Sequence, residues 1–480
     1  MTIRVGESAT APSFQKAALP LLENAQIRKN VRHGTDVIQG KRAQVVAATA
    51  DWQQLRTAAS AIKAHTLAHL DHYLLQFERA CTAAGGQVHW ASDADEANQI
   101  IAGLVRQYGG HEVIKIKTMT TDETGLNEAL EQAGIHPVET DLGELILQLG
   151  REKPSHIVGP SLHINRSQVR EIFREQMHLP DLSDEPEILT AAARRYLREK
   201  FLSVKIGISG ANFLVADTGS VCIVESEGNG RMCLTMPDVL ISLAGIEKVI
   251  PAFRDLEVFL QLLPRSATGE RMNPYNSIWT GVRPGDGPQH FHIVLLDNGR
   301  TAILGDPEAR QTLQCIRCGA CLNTCPVYRQ TSGLAYGSGY SGPIGAIVTP
   351  QLVGLEHAQS LPYASSLCGA CYEVCPVKIN IPEVLIHLRG RVVREQKSAL
   401  DPEALAMKTA AAIFTSRRRF EAAQRLGRLG QRPFVRKGWV KNLPGMLGNW
   451  TRVRDLRALP PQTFRAWWKQ RGKETGGGSD

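Results

Sequence analysis

At 480 residues the chain is too long for one small domain and has room for two to four. Its composition, 43% hydrophobic and 21% charged, is that of a globular protein and excludes a disordered or fibrous one. The net charge of +8 sits at one end: from Arg391 onward 20 Lys and Arg face 7 Asp and Glu, whereas the first 390 residues carry 35 basic and 40 acidic residues, which argues against a nucleic-acid-binding body.

In chain order, Phe14 to about Gly110 reads as helical, with apolar residues at helical spacing through Leu55, Ala58, Ile62, Leu67, Leu70 and Leu74. Gln87–Ala91 interrupts it as a strand. Val113–Lys117 is a second short strand, with Lys115 and Lys117 on one face. Thr120 and Glu123 then have the spacing of a capping box opening a helix that runs through Leu126, Leu130 and Ala133 to Gly134. With a strand near Pro137–Thr140, this is a βαβ unit and implies a parallel sheet covered on both faces. Asp217–Ser220 reads as a turn before a strand at Val221–Val224. Asp297–Arg300, between Ile293–Leu296 and Thr301–Leu304, reads as a hairpin turn. The division expected is 1–74, N-terminal helices; 75–305, an α/β domain on which they pack; 306–395, a cysteine-bearing module; 396–480, a basic helical tail.

Seven of the ten cysteines lie in that module. Ten in 480 are too few for a disulfide scaffold, and their clustering points to metal. Cys315-x-x-Cys318-x-x-Cys321-x-x-x-Cys325-Pro326 is the run of bacterial-type [4Fe–4S] ferredoxins, in which three closely spaced thiolates reach one cluster and the fourth cysteine points to another. Cys368-x-x-Cys371-x-x-x-Cys375-Pro376 repeats its last three cysteines, with Ser365 where the first would fall. Crosswise ligation then gives cluster one Cys315, Cys318, Cys321 and Cys375. Cluster two receives Cys325, Cys368 and Cys371, its fourth corner open to Ser365, another side chain, water or nothing, so that it is [4Fe–4S] or [3Fe–4S]. The competing reading is structural zinc, which favours paired Cys-x-x-Cys knuckles over a continuous run ending in proline. After Pro376, a helix opens at Ile381–Glu383 with Val384, Leu385, Leu388, Val392 and Val393 on one face. The long gap between Cys325 and Cys368 resembles the α-helical ferredoxin module of succinate dehydrogenase and glycolate oxidase iron–sulfur subunits. Cys81, Cys222 and Cys233 sit in apolar segments and read as buried small hydrophobes.

Four blocks, Lys115–Glu128, Ala211–Ser220, Leu263–Glu270 and the cysteine runs, together with Trp450–Asp455, give the chain its likeness to a known family: it resembles the lactate utilization protein B family. The resemblance implies a lactate-utilization-type domain related in fold to sugar-phosphate isomerases and CoA-transferases. It also implies an electron-transfer subunit of a multi-protein system that oxidises L-lactate to pyruvate, with the other two lactate-utilization proteins as partners. The alternative is an enzyme in its own right, binding lactate or a CoA-like ligand in the α/β domain.

Outside the cysteines, Lys115 and Lys117 lie at the mouth of a βα turn, where a carboxylate or phosphate ligand would bind, or form a solvated edge. Glu225–Gly230 reads as a surface turn with a faint likeness to a CoA-transferase nucleophile segment, and Arg265–Gly269 as an anion-binding or structural loop. His111, His156 and His163 read as ordinary surface or packing residues. No Gly-x-Gly-x-x-Gly or P-loop motif supports a nicotinamide or flavin. In the tail, Arg417–Arg419 beside Phe420, and Arg465 beside Trp467 and Trp468, suit docking on a partner, an anionic membrane surface with its quinone-linked acceptor, or plain solvation. With no apolar run of 18 residues and no signal-peptide core, the expected location is the cytoplasm, with at most peripheral contact at the inner face of the membrane.

Overall fold

The computed structural model describes residues 13–396, 401–448, 451 and 454–475. The chain forms two compact units, 1–396 and 397–480.

The first unit is built on six parallel strands: β1 (Gln87–Ala91), β2 (Glu112–Lys115), β3 (His136–Glu139), β4 (Ile206–Ser209), β7 (Val239–Gly245) and β10 (His290–Leu296), in the order β1-β10-β7-β4-β2-β3. The central strands β4 and β7 are buried at every position, as in a sheet covered on both faces. Their residues alternate between two cores: Val239, Ile241 and Leu243 join Ile101 and Val105 on one side, while Leu240 and Ala244 join Phe77, Leu145 and Phe173 on the other. Each fully buried Leu, Ile or Phe side chain here contributes about 1.5–3 kcal/mol.

A second, four-stranded sheet of β5 (Phe213–Val215), β6 (Ser220–Glu225), β8 (Val249–Ile250) and β9 (Tyr275–Trp279) has the order β8-β5-β6-β9. The N-terminal helices Phe14–Glu23, Ala25–Ala47 and Trp52–Ala68 lie between this sheet and the cysteine module, because Val31, Trp52, Leu55 and Ala59 share one core with Phe213 and Phe259 and also with Tyr328, Ile347 and Leu385. The helix Gly342–Leu352 is buried almost throughout and forms the centre of the module.

Several local expectations are corrected. Asp297–Arg300 does not turn a hairpin: β10 ends at Leu296, and Gly299, at φ +87°, caps a helix Arg300–Leu304 that carries Arg300 into the interior. Thr120 is not a cap: Thr118 Oγ accepts the Thr120 N–H, and Glu123 points into the core. Gly125, at φ +63°, divides the expected helix into Met119–Thr124 and Leu126–Gln132. The helix after Pro376 spans Ile381–Arg391 with Val384, Leu385, Leu388 and Val392 buried, but Val393 is exposed.

The second unit holds helices Pro402–Phe414, Arg417–Gln431 and Phe464–Thr475 and three two-residue antiparallel strands. Its surface exposes Phe414, Leu426, Phe464 and Trp468 among arginines, of which Arg417 and Arg465 share Glu421. Of the block Trp450–Asp455, residues 450, 452 and 453 lie outside the described residues. No helix among the described residues is long and apolar enough to cross a membrane.

Candidate iron–sulfur site

The two cysteine runs fold alike, fifty positions apart. Gly319 (φ +72°) and Gly369 (φ +84°) occupy left-handed backbone and start the short helices Ala320–Thr324 and Ala370–Val374; Cys325 and Cys375 then turn extended into Pro326 and Pro376. The residue before each Cys-Gly-Ala-Cys, Arg317 (φ +61°) and Leu367 (φ +54°), is also left-handed although neither is glycine, a strain of the sort concentrated at functional sites. Ser365 is the counterpart of Cys315; its Oγ accepts the Leu367 N–H at 3.1 Å.

The thiols sort into two sets. Cys315, Cys318, Cys321 and Cys375 line one cavity with Ile344, Ile379 and Ile381, and lie within electrostatic reach of one another. Cys325, Cys368 and Cys371 form the second set, which meets the first where Cys371 acts on Cys321. Backbone N–H groups aim at sulfur: Arg317 N–H at Cys315 (3.4 Å) and Ile379 N–H at Cys375 (3.3 Å), the kind of donor that tunes a thiolate ligand. Burial pushes the Cys318 and Cys371 thiols up to about 12 and Cys375 to about 11, so metal binding here must displace the proton. Cys368 alone of the seven is exposed.

Thiolates on one zinc ion lie roughly 3.8 Å apart, given Zn–S bonds of about 2.3 Å. Among the described residues the one trio of His, Cys, Asp or Glu donors within 4.8 Å of each other is Asp306, Glu308 and His387, and no cysteine belongs to it. In that trio His387 already holds Asp306 at 2.8 Å, with Arg391 3.5 Å away. The all-thiol sets, too open for a single ion and fringed by N–H donors, fit multi-iron clusters. Cys81, Cys222 and Cys233 are buried in the sheet cores with thiols pushed up to about 12, as small hydrophobes.

Around the first set the helices bring cations that sequence reading left unassigned. Arg56 Nε donates to Cys375 O at 2.9 Å and Arg42 to Val374 O at 3.0 Å. Arg317 stacks on Tyr340 and reaches Glu247 Oε1 at 3.3 Å. Arg300 makes a two-pronged pair with Glu123 (2.9 and 2.9 Å) and a further bond to Glu247, while Tyr340 OH donates to Glu123 at 2.7 Å. Burial would raise Glu247, but Arg300 and Arg317 draw it down to about 2. Of these residues Arg317 lies inside a cysteine run, whereas Glu123 and Arg300 read in the sequence as parts of a helix cap and a turn. His156, expected to be ordinary, is buried against the first run: its Nδ1 accepts the Val158 and Gly159 N–H groups, and its Nε2 meets Asn323 Oδ1 at 3.0 Å. His163 is buried too, beside Ser155 Oγ.

Lys115 and Lys117 are no solvated edge. Lys115 Nζ lies 2.8 Å from Glu139 and 2.9 Å from Thr121 Oγ, and Lys117 Nζ lies 3.2 Å from Glu144. They stand behind a cavity of about 380 Å³ lined by Asp122, Glu139, Glu144 and the Gly333–Gly339 loop of the cysteine module. With both lysines neutralised and Asp122 pushed up to about 7 by burial and by Glu144, the cavity is poorly suited to an anion. Glu225 accepts the N–H groups of Gly230 and Arg231, and Arg265 bonds Thr49 and Gln261, so both serve local structure.

Residues 74–296 match the LUD domain, 311–379 the 4Fe-4S dicluster domain, and 387–473 the lactate utilisation protein B C-terminal family. Lactate utilization protein B of Bacillus licheniformis is 42% identical over 480 residues, covering 99% of both chains. The protein of that name from Oceanobacillus iheyensis is 41% identical over 98% of both, and that from Bacillus subtilis 40% identical over 98% of both. With an α/β domain on a parallel sheet, an iron–sulfur module and full-length likeness of this order, the chain belongs to the lactate utilization protein B family.

Proposed function

We propose that this chain is the iron–sulfur electron carrier of a multi-protein system oxidising L-lactate to pyruvate, working with the other two lactate-utilization proteins. The observation that carries the reading is the sorting of the seven thiols. Cys315, Cys318, Cys321 and Cys375 hold one cluster, a [4Fe–4S]. Cys325, Cys368 and Cys371 hold the second, [4Fe–4S] or [3Fe–4S], its fourth corner left to Ser365, another side chain, water or nothing. Bound clusters supply one-electron redox chemistry. The chain's residues hold the thiolates, direct N–H groups at them and exclude water from the first set. Exposed Cys368 makes the second set the end that exchanges electrons with a partner.

The α/β domain, about 75–305 with helices 1–74 against it, is of the sugar-phosphate isomerase and CoA-transferase type; 306–395 is an α-helical ferredoxin module, and the basic region 396–480 a docking element for a partner. The test is lactate-dependent dye reduction with the anaerobically prepared chain, alone and with its two partners. The carrier reading expects turnover only with the partners. Full-rate turnover by the isolated chain would establish the alternative, an enzyme acting alone.

A further inference from the structure

We propose that residues supplied mainly from outside the cysteine module form a buried cationic cage around the Cys315–Cys318–Cys321–Cys375 set, raising the reduction potential of the cluster there above that of its neighbour and making it the electron reservoir of the pair. The inference rests on the cluster reading given above.

Charges in the interior do not balance. Lys63 (2% exposed), Lys248 (8%), Arg300 (1%) and Arg317 (8%) lie in one buried network with only two carboxylates, Glu247 (1%) and Glu123 (8%). Lys63 Nζ donates to the backbone carbonyl of Glu247, and the side-chain carboxylate of Glu247 is shared by Arg300 and Arg317. Tyr340 and Asn298 complete Glu123 as neutral donors. Burial lowers Lys63 and Lys248 to about 8, so the two positive charges left without a carboxylate are held in the interior only where an anion stands close by. The groups that face this excess are thiols: Arg317 lines the cavity of Cys315, Cys318, Cys321 and Cys375, and Lys63 and Lys248 both lie within electrostatic reach of Cys315. A [4Fe–4S] core with four thiolates carries two net negative charges when oxidised, the sign that offsets such an excess. Arg42 and Arg56 add two further cations beside the same set, through the carbonyls of Val374 and Cys375.

The second set has one half-buried cation at its edge, Arg389, which bonds the carbonyls of Pro362 and Ser365, and no buried cationic network like that of the first. The electrostatic influences on Cys325 and Cys371 come from the other cysteines of that set, Cys368 is open to solvent, and the position matching Arg317 is Leu367. Fixed positive charge in a low-dielectric site favours the more negative, reduced form of whatever it surrounds. The resulting step is a single-electron exchange. With clusters bound, the site at Cys368 would give up one electron and the site at Cys315 would receive it, with no bond made or broken and lactate oxidation by the partner proteins as the electron source. Lys63, Glu247, Lys248 and Arg300 all come from the N-terminal helices and the α/β domain, so on this account that domain acts as an electrostatic sheath for the inner cluster.

The experiment is an EPR-monitored redox titration of the anaerobically prepared full-length protein and of its Lys63→Met and Lys248→Met variants, with signals assigned by comparison with Cys368→Ala. In the parent protein the inner cluster is expected to have the higher midpoint. In each lysine variant that midpoint is expected to fall by a tenfold change in the one-electron equilibrium or more, at least about 59 mV, with the outer midpoint moving by less than a third as much. Iron and sulfide contents equal to those of the parent show that the clusters are intact. An inner midpoint below the outer one in the parent, or equal shifts or none in variants that keep their iron, overturns the proposal while leaving the cluster reading standing. Parent protein that takes up no iron and sulfide ends the cluster reading itself.

Discussion

Arg300 joins Glu123 and Glu247 in the interior, and its loss should be felt throughout the first unit. In Arg300→Met a side chain of similar length fills the space, but the two carboxylates lose three of their hydrogen bonds. Removing one partner of a buried ion pair costs about 3–5 kcal/mol, because the charge left behind is uncompensated. At roughly 2.1 cal/mol/K per residue, the unit spanning 1–396 has an unfolding entropy near 0.8 kcal/mol/K. The expected fall in Tm is therefore about 4–6 °C. Anaerobic thermal unfolding, followed by circular dichroism at one scan rate, measures it. The double variant Arg300→Met/Glu123→Gln should recover part of the loss, since a neutral amide leaves no stranded charge and its oxygen still accepts from Tyr340 or Asn298. A single variant melting within about 1 °C of the parent, or strictly additive losses in the double, would refute the claim that this network bears on stability.

Three further outcomes are expected. If the thiols are shared crosswise, Cys375→Ser should produce the same spectroscopic defect as Cys315→Ser, and Cys325→Ser that of Cys368→Ser; pairing by sequence run instead would contradict the assignment. Asp122 has a folded pKa of about 7 against an ordinary 3.8, so the folded state binds its proton more tightly and stability falls as pH rises through the window from about 4 to 7. Asp122→Asn should flatten that slope and raise stability at pH 8 by up to about 4 kcal/mol; an unchanged Tm–pH profile would tell against it. Gly369→Ala should cost the left-handed backbone strain of about 1–2 kcal/mol, because no protein atom lies within 4 Å of a methyl there. Gly319→Ala should cost more, its methyl lying 3.2 Å from Val158 and 3.4 Å from His156, and equal losses in Tm and iron retention would show that the two runs are packed alike.

The cysteine runs were legible because ligand spacing is a local property, and so was the β2–helix–β3 unit, whose apolar periods are clean. Asn298-Gly299 misleads because a left-handed glycine opens a hairpin or caps a helix equally well; what decides is that Arg300 finds Glu123 and Glu247, far away in sequence. Glu123 misleads in the same way, its spacing from Thr120 suiting a cap while Arg300 and Tyr340 hold it inside. Lys63, Lys248 and Arg56 give no warning at all, since isolated charged residues on helical segments belong at the surface by default and only tertiary partners reverse that. Lys115 ends β2 as the spacing suggests, but Lys117 lies two residues past the strand, and Glu139 and Glu144, which pair with the two lysines, arrive from the next βα segment.

The N-terminal helices have a consequence for how the chain is made. Phe14 N–H bonds Ser360 Oγ, and Arg56 bonds Cys375 O, across sequence separations of 346 and 319 residues. A ribosome adding about 5–20 residues per second leaves these helices waiting roughly 16–70 s for their partners. Phe213 and Phe259 give Val31, Trp52 and Leu55 a first partner midway through synthesis, but the part of their core that comes from Tyr328, Ile347 and Leu385 closes only near its end.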